Sequence, residues 1–416
     1  WNLELSWNAG KEAFFQSLRP LSSMRVKTYY GVSANNPSET NSLEEIYPEV
    51  PWRPDSREIG LGYRNLANHE LTYEKTRTMG VNLALGAFKE RISVGLDVYN
   101  RRSYDLVGPV YTQAVGGVAT KRGNVAELRS SGVELTLSSV NINTGTFSWR
   151  TAFSYIHKTN KISKLLSNPT VKTMISGSGF SYEGYPLSSV FSIPFAGLTK
   201  DGIPNFYNAD GSKTLGGINL SSNNVDFLTY SGTLIPTDLG VLSNTFRYKR
   251  WSFGAHVSYQ FGAVTRLRAI SGLLNDRNAL PHELDQRWKR SGDELYTNIP
   301  RVPTSYAFDQ YGSDNLVNGY YAYDNSTARV VKTDFIRLKE LSLEYSFDKK
   351  ILRHTPLRNL SMRLQAQNLF LIYSDARLRG DDPEYMYGSN VTAPKRVILT
   401  LRVGSVSYTH LTLPTI

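Results

Sequence analysis

The sequence predicts an all-β chain built as a transmembrane antiparallel β-barrel of about eleven strands, on three observations. Apolar residues recur with period two in run after run, as strands with one apolar face require. The connections between runs alternate between short and long, as the two sides of a membrane barrel do. No stretch of roughly 18 apolar residues exists, so no helix is expected to cross a membrane, whereas a spanning strand needs only about 9–11 residues.

Taken in order, weak alternation covers 1–8, 22–33 and 76–87. The clearest strand follows over 91–100, where Ile92, Val94, Leu96 and Val98 oppose Ser93, Gly95, Asp97 and Tyr99. Val133, Leu135 and Leu137 oppose Glu134 and Thr136 in the next strand, and 146–157 and 240–249 give weaker versions. Trp251, Phe253, Ala255, Val257, Tyr259 and Phe261 share one face, with Ser252, Gly254, His256, Ser258 and Gln260 on the other. Over 334–347 the phase slips by one residue at Lys339-Glu340, which predicts a β-bulge. Leu360, Met362, Leu364 and Ala366, then Val397, Leu399, Leu401 and Val403, close the series.

Short connections are expected at 9–21, 88–90, 141–145, around 250 and at 348–358. Long ones are expected at 34–75, 103–128, 158–239, 262–333 and 371–394. Every even-numbered strand therefore leads into a long loop, which reads as periplasmic turns below and extracellular loops above. One face of each strand is apolar, as lipid demands, and the other is polar and charged, as a water-filled lumen permits.

Composition narrows the chemistry. The chain has 416 residues and no cysteine, which removes disulfides, thiolate metal sites and cysteine nucleophiles together. A net charge of +11 is spread thinly, without the concentrated patch of a nucleic-acid binder. Tyr, Phe and Trp make up 12%, which favours β-structure with interfacial rings; Trp7, Trp149 and Trp251 near strand ends fit such girdles. The six histidines include no pair at metal-ligand spacing, and no nucleophile elbow or phosphate loop is present, so neither a cofactor nor an enzymatic centre is implied. Asp381, Asp382 and Glu384 form the best carboxylate cluster, open between a calcium loop and a solvated acidic turn beside Pro383. Asp97, Glu134 and Glu344 fall on the polar face, as alternation alone requires.

Several segments resemble the barrel of SusC/RagA-type TonB-linked outer-membrane proteins. They include Leu71-Thr72-Tyr73-Glu74-Lys75-Thr76-Arg77, Asp97-Val98-Tyr99-Asn100-Arg101-Arg102, Gly123–Leu135, Glu183-Gly184-Tyr185-Pro186-Leu187 and Asp201-Gly202-Ile203-Pro204-Asn205-Phe206. Arg287-Trp288-Lys289, Phe335–Leu341 and Gln365-Ala366-Gln367-Asn368-Leu369-Phe370 continue the series in the family's order, from about 70 to 404. The resemblance implies that residues 1–404 are the C-terminal half of a barrel of about 22 strands closed by an N-terminal plug, a known large-barrel class. Plug, TonB box and signal peptide are then expected upstream. The tail from about 405 to 416, with Val406–Ile416, is similar to one reading frame of a transposase adapter used in sequencing libraries, and is expected to be non-native.

What the resemblance implies about function is import of oligosaccharides or peptides across the outer membrane of a Bacteroidetes-like Gram-negative cell. A SusD-type surface lipoprotein would cap the loops and the TonB complex would act through the upstream region. Tyr182, Tyr185, Tyr207, Trp288, Tyr321 and Tyr323 lie in long loops and are the candidate substrate contacts, since loop aromatics stack on sugars or grip peptide side chains. Two alternatives stand beside this one: a siderophore or vitamin receptor without a lid partner, and a secreted β-rich glycan-binding module.

Overall fold

The computed structural model describes residues 1–405 except 19, 37–41, 50–59, 114–119, 271–284, 354, 356, 379 and 386–393. The tail expectation at 406–416 lies outside the described residues, as do parts of the expected long loops 34–75, 103–128, 262–333 and 371–394.

Eleven strands form one antiparallel sheet in which every strand pairs with its neighbours in sequence. They are β1 (Asn2–Trp7), β2 (Leu21–Asn35), β3 (Glu74–Ala87), β4 (Ile92–Tyr111), β5 (Thr120–Asn143) and β6 (Phe147–Leu165). The series continues with β7 (Asp238–Tyr248), β8 (Trp251–Phe261), β9 (Phe335–Ser346), β10 (Leu357–Ser374) and β11 (Arg396–Ser405). Short turns force this meander, because a chain that reverses within a few residues can pair only antiparallel to the strand it has just left. Among the described residues no helix is long and apolar enough to cross a membrane.

Because directly paired residues share a face, the register shows that the apolar sides line up across strands. Leu85, Val94, Leu137, Phe153, Leu242, Val257, Leu338 and Phe370 form one continuous lateral row over β3 to β10. Lower down, Trp149, Phe246, Phe253, Leu343, Leu364 and Leu399 form another. Many of these side chains are exposed, as an outer face meeting lipid requires, and among the described residues no protein layer covers them. On β3 the apolar outward positions run from Met79 to Ala87. That is about 26 Å along the strand and about 20 Å high after a tilt of about 35–45°, close to the ~25 Å band of outer-membrane barrels. Trp7, Trp149 and Trp251 all sit on this face toward the short-turn end, with Trp251 against Tyr345 at 4.7 Å between ring centroids.

The bulge falls where the phase slip places it. His256 faces Glu340 and Val257 faces Leu338, so Lys339 is the extra residue. It lets Leu338 and Leu341 both keep to the apolar side while Arg337, Lys339 and Glu340 turn inward. One expectation is corrected. The loop placed at 103–128 is largely strand, since β4 and β5 stay paired out to Tyr111 and Thr120. Beyond the membrane band both faces of a strand are wetted, so the chain has no reason to alternate there and period-two reading loses it.

Candidate functional site: the lumenal wall and the loops above it

The inner face of the sheet is mostly polar, interrupted on β6 and β7 by Ile156, Leu239 and Val241. The Tyr29 hydroxyl donates to Asp97 (3.1 Å), and Lys27 pairs with Glu4 at 2.7 Å. The Tyr99 ring lies flat over Gly132, where a Cβ would stand 2.4 Å from ring atoms, with the Arg101 guanidinium 4.3 Å from its centroid. Glu340 accepts from Arg363 (3.1 Å), Gln365 (3.0 Å) and Gln367 (3.2 Å), while Ser243 and His256 share a hydrogen bond of 2.7 Å nearby. Asp97 and Glu134 are direct cross-strand neighbours, whereas Glu344 lies several strands away opposite Arg363. Toward the short-turn end, small residues such as Ala84, Gly95, Thr136 and Ser154 leave a shallow hollow of about 490 Å³ in the wall. This surface suits hydrated passage and holds no cluster of three potential metal ligands among the described residues.

Above the wall the described residues of the long connections 166–237 and 262–334 fold into a packed body. Small strand pairs build it, Ser189–Ser192 with Thr229–Thr233 and Val264–Arg266 with Val330–Lys332, beside the helices Ser305–Tyr311 and Ser313–Asp324. Its core gathers Val171, Met174, Ile193, Phe206, Ile218 and Tyr323. Two arginines tie the segments together through main-chain carbonyls. Arg266 donates to Ile175 O (2.8 Å) and Phe191 O, and Arg329, almost wholly buried, donates to Arg268 O with its guanidinium 5.4 Å from the Tyr323 ring. Burial pushes the Tyr320 phenol well above its ordinary range, so that hydroxyl stays a donor, as its bond to Arg301 O requires.

The candidate aromatics separate in this body. Tyr182 and Tyr185 stack at 6.0 Å and both meet Phe191 edge-on. Tyr185 also touches Tyr230 (5.2 Å), a half-exposed ring that the sequence reading did not single out. Tyr321 packs on the same core, and Tyr323 is only 1% exposed, wedged between Phe195 and Arg329. The Trp288 ring covers Gly202, a left-handed glycine whose absent Cβ makes room for it, and its Nε1 donates to Glu294 at 3.1 Å. Tyr207 stays 42% exposed beneath the Lys213 ammonium. Tyr296 and Tyr306 are more exposed still and were also missed; no local pattern distinguishes an outward loop ring from an inward one.

The acidic cluster before β11 is neither a solvated turn nor an open cage. Asp382 pairs with Arg337, and Glu384 lies 3.3 Å from Arg337 Nε and 2.6 Å from Lys339 Nζ. Asp381 meets Arg268 at 2.9 Å. The turn 380–385 is thereby held against the lumenal side of β9, where the bulge has aimed both cations.

No protein-family profile matches the chain. A TonB-dependent receptor of Formosa agariphila, P3, is 24% identical over 96% of the chain, and a second from that organism, P39, is 25% identical over 94%. The TonB-dependent receptor SusC of Bacteroides thetaiotaomicron is 24% identical over 39% of the chain. Among solved structures, that of the RagAB peptide transporter superposes with a TM-score of 0.74 and 22% identity over 97% of the chain. The fold is that of a SusC/RagA-type TonB-dependent receptor barrel, in part. The chain spans about 40% of the length of the curated relatives P3 and P39 and 43% of the RagAB chain. An open eleven-stranded SusC/RagA-type sheet agrees with that share, and its polar concave wall corresponds to the inside of such a barrel.

Proposed function

We propose that the protein containing this chain is an outer-membrane importer that takes oligosaccharides or peptides into its lumen, driven through TonB. The observation that carries this reading is the agreement of nearly the whole chain with curated TonB-dependent receptors, on a sheet that is apolar outside and polar inside. One of the similar solved structures is that of a peptide transporter, which supports peptides as one class of cargo. The folded loop body supports a further element of the reading, a SusD-type lipoprotein resting on an ordered platform. Within the loops Tyr182, Tyr185, Tyr207, Trp288 and Tyr321 remain the proposed substrate surface, with Tyr207 presenting the most accessible of these rings, whereas the buried Tyr323 belongs to the core beneath them.

In this mechanism the barrel breaks no covalent bond. The carboxylates, amides and tyrosine hydroxyls of the wall exchange hydrogen bonds with a hydrated cargo, so no single site holds it tightly. Uptake of labelled oligosaccharide and peptide libraries by cells expressing the intact protein tests the reading. Accumulation should collapse with a protonophore or loss of TonB. Accumulation that persists under both treatments would sink it.

A further inference from the structure

A row of cations crosses the outer face at the upper edge of the apolar belt. Arg77 pairs in register with Arg102, Arg102 with Arg129, and Arg129 with Lys161, so four basic residues stand side by side over β3 to β6. The same pairing series puts Met79, Asn100, Ser131 and Thr159 one step below, and Val81, Val98, Val133 and His157 two steps below. The cations therefore share the face that meets lipid and stand about 7 Å along the strands from its last apolar side chain, Met79. Arg77, Arg129 and Lys161 are exposed. Arg102 is paired with Glu127 at 2.7 Å, while Arg77, Arg129 and Lys161 form no ion pair among the described residues. Four cations against one carboxylate leave a local charge of +3.

Like charges set directly opposite one another across strands destabilise a sheet, so three consecutive cationic pairs are unfavourable unless something anionic lies over them. Water alone has no reason to gather them at one height. A lipid leaflet does, because that height is where headgroups lie, and basic residues near a membrane surface are drawn to anionic headgroups. The band below fits the same occupant: a mostly polar row with a Ser131–Thr159 hydrogen bond (3.1 Å) at the level of sugars and esters, then three valines at the level of acyl chains, a row that closes on β6 with His157 paired to Asp238 at 2.8 Å. We propose that this row binds the phosphate-bearing headgroup of a glycolipid in the outer leaflet. Arginine suits the task, since its planar fork meets phosphate oxygens two at a time. The proposal rests on placing the apolar belt in the outer membrane, but not on any cargo.

The test uses the intact folded protein in dodecyl maltoside and monophosphoryl lipid A as probe. Arg77→Gln/Arg129→Gln/Lys161→Gln is compared with Lys89→Gln/Lys249→Gln/Lys349→Gln, which removes equal charge at the short-turn end. Each headgroup-level cation is worth about fivefold in affinity, so the first triple should bind about 10²-fold more weakly, and the second should match the parent. Dephosphorylated lipid A should bind the parent as poorly as lipid A binds the first triple. Equal binding by the two triples overturns the proposal. Competition by millimolar inorganic phosphate would also overturn it, by making free phosphate the ligand. Should the triple not fold, Arg129→Gln alone is expected to lose about fivefold and Arg129→Lys to regain most of it. Heat-modifiable migration and membrane fractionation of the same preparations report the barrel separately, so a folded, membrane-borne protein indifferent to lipid A refutes this inference alone.

Discussion

Replacing Asp382 with alanine isolates the interaction that holds the 380–385 turn inside the barrel mouth. The Arg337 side chain is 5% exposed and that of Asp382 8%, so the pair is buried on both sides. Removing one partner of a buried pair costs about 3–5 kcal/mol, because the remaining charge is stranded rather than rehydrated. Here Glu384 still lies 3.3 Å from Arg337 Nε, which argues for the lower end, about 3 kcal/mol. The β9 ladder does not need the turn, so the loss should appear as local opening and not as unfolding of the sheet. Amide exchange reads this directly. Protection of Asp381 N–H, bonded to Leu378 O, and of Tyr385 N–H, bonded to Asp382 O, should fall by about 10²-fold, while strand amides of β9 keep theirs. An Arg337→Met/Asp382→Leu double variant removes both charges and should regain most of the protection. If Asp382→Ala changes exchange at 381 and 385 by less than about twofold, the pair does not hold the turn and the reasoning fails.

Other consequences follow from particular contacts. Gly132→Val would drive a side chain into the Tyr99 ring, so the refolded fraction on a heat-modifiable gel should fall, with an overpacking cost of about 1–3 kcal/mol; Gly132→Val/Tyr99→Ala should recover it. Tyr185→Ala removes contacts to Tyr182, Phe191 and Tyr230 and should make 166–237 the first segment cut by protease, whereas Tyr207→Ala should leave cleavage unchanged and weaken cargo uptake. The Tyr311 hydroxyl bonds Asp201, which raises its pKa above the ordinary 10.0. A raised folded pKa stabilises fully below the unfolded value and is lost as pH rises through the folded one. Protection at 199–202, taken relative to the intrinsic base-catalysed rate at each pH, should therefore fall above pH 10 in the parent and show no such fall in Tyr311→Phe.

The sequence by itself determined the sheet. Side-chain direction in a strand is fixed by the backbone, so Ile92 to Val98 or Trp251 to Phe261 declare both a strand and its lipid-facing side without reference to anything distant. The bulge was legible for the same reason, since one extra residue at Lys339 shifts the alternation by one. Neighbour order followed from short turns such as 249–250 between β7 and β8. Tertiary structure alone decided the rest. Tyr323 is buried and Tyr207 exposed although both are loop tyrosines, because the core they divide over is assembled from segments far apart in sequence. Arg266 reaches Ile175 across 91 positions and Arg337 reaches Asp382 across 45. The row Arg77, Arg102, Arg129 and Lys161 is likewise invisible until the register is known. A one-residue slip between strands would send each to the other face, and register is set by cross-strand pairing rather than by any residue's own neighbours.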